Sequence, residues 1–87
     1  MYAMLSLDID KNTSAEKRDK FYEFLKNEQW TKIPKVTTTW YAKFKDGVTE
    51  SGAINATKSD IAGAAKYAGV TSYDAVVNVS ESKPISF

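Results

Sequence analysis

The chain has 87 residues with 43% hydrophobic and 13% aromatic content, which fits one domain with a packed core and argues against disorder. It contains no cysteine and no histidine, so disulfides, zinc–thiolate centres and every Ser-His or Cys-His nucleophile are excluded. A net charge of +1, from 12 basic and 11 acidic residues, lacks the basic excess of a dedicated nucleic-acid binder.

Met1–Leu7 is apolar but too short for a signal peptide or a membrane helix, and Asp8 and Asp10 close it. With no lipidation signal at either end, a cytoplasmic protein without a membrane partner is expected. The alternation of this opening segment predicts a central strand. Ala3, Leu5, Leu7 and Ile9 share the core face, and Tyr2, Met4, Ser6 and Asp8 share the other.

Thr13 and Glu16 have capping-box spacing, with Ser14 as a competing cap. Phe21, Phe24 and Leu25 then follow helical spacing, with Arg18, Lys20, Glu23 and Lys26 on the wet side, so a helix is expected over 14–27. Pro34 donates to no ladder and belongs at an edge or in a turn. A short edge strand over Trp30–Ile33 and a longer strand over Val36–Phe44 follow. Val36, Thr38, Trp40, Ala42 and Phe44 face one way; Thr37, Thr39, Tyr41 and Lys43 face the other.

Asp46–Gly47 is a hairpin signal and allows a further strand over 48–54. Against it, Ile54, Thr57, Ile61, Ala64, Ala65 and Ala68 recur at helical spacing. A helix over Glu50–Ala68 is therefore expected, with Thr49 as cap and Gly69 at C′; a start at Thr57 is the shorter alternative. Gly52 and Gly63 weaken it by roughly 1 kcal/mol each relative to alanine. The segment Ser72–Ser80 alternates again, with Tyr73, Ala75, Val77 and Val79 opposite Asp74, Val76 and Asn78. The tail over 81–87 carries Pro84 but ends in Ile85 and Phe87, a pattern that predicts docking on its own sheet or a neighbour's, as an extra edge strand if it pairs.

The order β-α-β-β-α-β predicts an α+β ferredoxin-like plait over 1–80: a four-stranded antiparallel sheet with two helices on one face. The bare face is then semi-polar, with Tyr2, Thr37, Thr39, Tyr41 and Lys43 as candidate binding residues. Three uses compete for it: a solvated surface, self-association into a homodimer, or an RNA platform with stacking on Tyr2 and Tyr41. Among potential chemistry, Asp8 stands out at the end of the central strand, with Asp10 two residues on. Oxygen donors alone suit Mg²⁺ or Mn²⁺, and such an ion activates water without histidine. The plainer alternative is that both carboxylates cap a turn and solubilise a strand end. The lysines at 32, 35, 43 and 45 suit phosphate contact or, more simply, protection of an edge.

The opening Met1–Ala3 followed by Asp8, within this layout, resembles the small ferredoxin-like nucleases. That group spans the CRISPR-associated adaptation subunit, the VapD ribonucleases and the GhoS antitoxin ribonuclease. The resemblance implies a dimer, an Asp8-centred site at its interface and single-stranded RNA as substrate. The chain departs from that pattern by having Arg18 as its single arginine. The functional expectation is a dimeric endoribonuclease of toxin–antitoxin or mobile-element defence type. The alternative is a non-catalytic module that binds another protein through its open face or tail.

Overall fold

A computed structural model describes residues 1–87. Its elements are β1 (Tyr2–Ile9), α1 (Ala15–Asn27), β2 (Thr31–Lys32), β3 (Thr39–Lys43), α2 (Glu50–Ala68) and β4 (Tyr73–Ser80). The strands form one antiparallel sheet in the order β2-β3-β1-β4, so β1 is central and the two crossovers interleave as a ferredoxin-like plait requires.

Period-two alternation decides what is buried. Ala3, Leu5, Leu7 and Ile9 of β1, with Trp40 and Ala42 of β3, cluster with Phe21 and Leu25 of α1 and Ile61, Ala64 and Ala68 of α2. Both helices thus cover the same face of the sheet. They touch each other where Gly63 meets the ring of Phe24; a Cβ there would lie 2.8 Å from Phe24 Cζ. The glycine that weakens α2 as an isolated helix is what lets α1 approach it.

The caps follow their sequence signals with one exchange. Ser14, not Thr13, is the N-cap of α1, its hydroxyl accepting from the Lys17 N–H at 3.3 Å. Thr49 caps α2 by accepting from Gly52 at 3.0 Å, and Gly69 ends it in the left-handed region. The hairpin alternative over 48–54 is thereby overturned, since Asp46–Gly47 only leads into the helix. At the end of α1, Gln29 takes the left-handed conformation (φ 73°) while Trp30 and Gln29 donate back to the carbonyls of Leu25 and Lys26. That pair of bonds is a Schellman motif, and it drives Trp30 into the core beside Leu25.

The middle of the chain is shorter in strand than its β-propensity predicts. β2 has two residues instead of four, and β3 begins at Thr39 instead of Val36. Pro34 and Lys35 form a turn, with Lys35 at φ 67°, and 37–38 form a second one. The Val36 and Thr39 N–H groups then donate to Ile33 and Val36 carbonyls, closing local turns in place of a ladder. Val36, expected on the strand face of Trp40, is consequently exposed. No helix is long and apolar enough to cross a membrane.

Candidate functional site

The face away from the helices is built on the even positions of β1. Tyr2 lies between Lys43 and Ser80, Met4 between Tyr41 and Asn78, and Ser6 between Thr39 and Val76. Asp8 lies directly opposite Asp74 on β4. Since β3 starts only at Thr39, Asp8 has no rung on that side, and the missing neighbour opens a groove of about 290 Å³ bordered by Ser6, Asp8, Thr38, Asp74 and Val76. A second hollow of about 400 Å³ at the strand end is also bordered by Asp8 and Asp74, together with Asp10, Lys11 and Arg18.

Residues directly opposite in antiparallel strands hold their Cβ atoms about 5 Å apart, and like charges there repel. Neither Asp8 nor Asp74 has an ion-pair partner, and both are exposed. The pair is thus two facing carboxylates with no cationic group within 4.0 Å of either. Asp10 is placed differently. It lies beyond β1, where its Oδ1 accepts from the Asn12 N–H at 3.0 Å and fixes the turn into α1.

Arg18 was expected on the wet side of α1 but is half-buried. Its Nη2 donates to the Asp10 carbonyl at 2.7 Å and the Ile9 carbonyl at 3.4 Å, and its Nε to Thr13 at 3.2 Å. The chain's single guanidinium therefore holds the β1–α1 loop together.

The opposite end of the face has the reverse character. Lys43 Nζ stands 5.9 Å from the Tyr2 ring centroid. Glu81–Phe87 folds back without regular structure, placing Lys83 Nζ 5.4 Å over Tyr41 and bordering a groove with Tyr2 and Met4. Ammonium groups over aromatic faces occupy one end; paired carboxylates occupy the other, about 20 Å away along β1. Of the expected binding residues, Tyr2, Thr39, Tyr41 and Lys43 share this face. Thr37 does not: it sits in the turn before β3, because the strand starts two residues later.

The opposition of Asp8 and Asp74 escapes sequence reasoning, although alternation puts both on the bare face. Their register belongs to a pairing between the two ends of the chain, which no local pattern encodes. The loop clamp by Arg18 has a weak sequence signal, a lone arginine at the start of a helix otherwise rich in lysine. Compared with protein-family models, with curated proteins and with solved structures, the chain matches none.

Proposed function

We propose that this chain is a small dimeric ferredoxin-like endoribonuclease of toxin–antitoxin or mobile-element defence type, working in the cytoplasm on single-stranded RNA. The observation that carries this reading is Asp8 facing Asp74 across the β1–β4 ladder with no cationic partner. Mg²⁺ is commonly held by one or two carboxylates with water completing its shell, and this donor set of exposed oxygens fits it or Mn²⁺. When bound, such an ion supplies an activated water and a Lewis acid for a phosphodiester. The residues of the chain do the rest: Asp8 and Asp74 hold the ion, Tyr2 and Tyr41 offer stacking faces, and Lys43 and Lys83 receive phosphates. The resemblance of Met1–Ala3 and Asp8 to the small ferredoxin-like nucleases points the same way.

The test is cleavage of a labelled single-stranded RNA with Mg²⁺ or Mn²⁺, alongside Mn²⁺-induced broadening of amide signals in NMR spectra. Cleavage lost in Asp8→Asn and Asp74→Asn, with broadening centred on β1 residues 6–9 and β4 residues 73–76, is the expected outcome. No cation-dependent cleavage together with uniform spectra would remove the reading.

A second reading, a non-catalytic module that binds another protein, is favoured by the tail. Ile85 and Phe87 point into solvent although the segment around them lies on the sheet. Replacing Ile85 and Phe87 together by serine would abolish such binding and leave RNA cleavage at Asp8 intact.

A further inference from the structure

The two edges of the sheet are unlike. β2 has two residues, is followed by Pro34, and carries Lys32 and Lys35 at its flank. Shortness, proline and lysine are the usual means of blocking an edge. β4 has none of these. It runs for eight residues, Tyr73–Ser80, in unbroken register with β1, without a bulge, a proline or a lysine.

Its outward hydrogen-bonding groups can be assigned. The Asp10 N–H donates to the Ser72 carbonyl, on the same register that pairs Asp8 with Asp74. In an antiparallel ladder every second pair exchanges bonds. The even residues of β4 therefore bond to β1, and the N–H and C=O groups of Tyr73, Ala75, Val77 and Val79 point outward. No backbone bond from a loop or from the tail reaches them. The same stretch is apolar on the helix side, where Ala75 is exposed, and at its centre on the bare side, where Val76 is 69% exposed between Asp74 and Asn78.

We infer that β4 pairs antiparallel with β4 of a second copy, joining two sheets into one of eight strands around a two-fold axis at Val76. A second copy fits because the strand complements itself. With Val76 opposite the partner's Val76, Ala75 meets the partner's Val77 and Tyr73 meets the partner's Val79, each apolar against apolar on the helix side. Asp74 meets the partner's Asn78, so no like charges face each other. Shifting the axis to Val77 sets Val76 against an asparagine and loses that match. Each direct pair keeps both residues on the same face, as a continued sheet requires.

The inference rests on the dimeric part of the proposed function and not on its chemistry. Its consequence for that chemistry is specific. The two Asp74 residues lie roughly 14 Å apart along the strands, so each Asp8–Asp74 pair serves its own copy and no ion is shared. A strand-to-strand contact falls at the small end of specific interfaces, under about 1,200 Å² in total, and the dimer is expected to dissociate with dilution.

Solution mass is measured by sedimentation of the full chain across a concentration series, with two variants. Ala75→Pro removes one outward N–H and leaves the β1 ladder whole, as proline at a solvent-facing edge position does. Val76→Lys places two ammonium groups across the axis without touching the core. A concentration-dependent wild-type dimer, weakened at least tenfold in Val76→Lys and absent in Ala75→Pro, is expected. A wild type monomeric at the highest concentration overturns the inference and the dimeric reading together. A dimer indifferent to Val76→Lys but lost on deleting Ser82–Phe87 overturns the edge pairing alone.

Discussion

The indole N–H of Trp30 donates to Oδ2 of Asp60 at 2.9 Å, tying the junction of α1 and β2 to the middle of α2. Trp30 is buried and Asp60 half-exposed, so the bond also spares the core an unpaired donor. Asp60→Ala is expected to lower the unfolding free energy by about 1–2 kcal/mol, whereas Asp60→Asn, which keeps an acceptor, loses about half as much. Urea unfolding measures both, and equal losses would mean that the acceptor oxygen is irrelevant.

Trp40 is the contrasting case. It is fully buried on β3, and its Nε1 is the buried side-chain polar atom with no hydrogen-bond partner. Trp40→Phe removes the orphan donor along with some volume, and the two effects offset. A change within about 1 kcal/mol is expected, against roughly 3–5 kcal/mol for Trp40→Ala. Comparable losses in the two variants would contradict the assignment of an unsatisfied N–H.

Gln29 holds a left-handed conformation that glycine adopts without a steric penalty. Gln29→Gly should raise stability by about 0.5–1 kcal/mol while leaving the Schellman bonds in place. A fall in thermal midpoint would show that the glutamine side chain contributes something its backbone does not.

Gly63→Ala tests the helix–helix contact. Alanine gains roughly 1 kcal/mol of helix propensity, but its Cβ would press on the Phe24 ring, which also packs at a tilt against Tyr67 with centroids 5.9 Å apart. Overpacking costs typically 1–3 kcal/mol, so a net loss of about 1 kcal/mol is expected. Combining it with Phe24→Leu should recover the loss, and a stabilised single variant would refute the tight approach.

The carboxylate pair makes its own prediction without any cation. Asp74→Asn relieves the repulsion with Asp8 and should stabilise the fold by roughly 0.2–1 kcal/mol. Because both groups are exposed, the gain should shrink as salt rises toward about 1 M, where the screening length is about 3 Å. A destabilised Asp74→Asn at low salt would mean that Asp74 has a favourable partner.

Much of this architecture was legible in local patterns. The alternation of Tyr2–Ile9, the helical spacing of Ile54–Ala68 and the caps Thr49 and Gly69 each have a period or a signature of their own. The run Val36–Thr38 misleads because β-propensity describes fit to a pleated surface, whereas the turns at 34–35 and 37–38 take up this backbone and the Thr38 carbonyl, accepting from the Leu7 N–H at 2.8 Å, is what still bonds to β1. Arg18 misleads for a similar reason: charge predicts solvent, but three backbone carbonyls at the end of β1 and in the loop before α1 supply the partners that hold it. The site itself depends on which rung of β4 meets which rung of β1. Alternation assigns Asp8 and Asp74 to a face, and only the long-range pairing makes them opposite.

That pairing also sets a timetable for synthesis. The middle strand of the sheet needs a neighbour from the last quarter of the chain, so a nascent polypeptide still on the ribosome carries Leu5 and Leu7 on a half-built layer until Tyr73–Ser80 emerges. A chain stalled before that point would bind chaperones through β1, and release of a few more residues would end the binding.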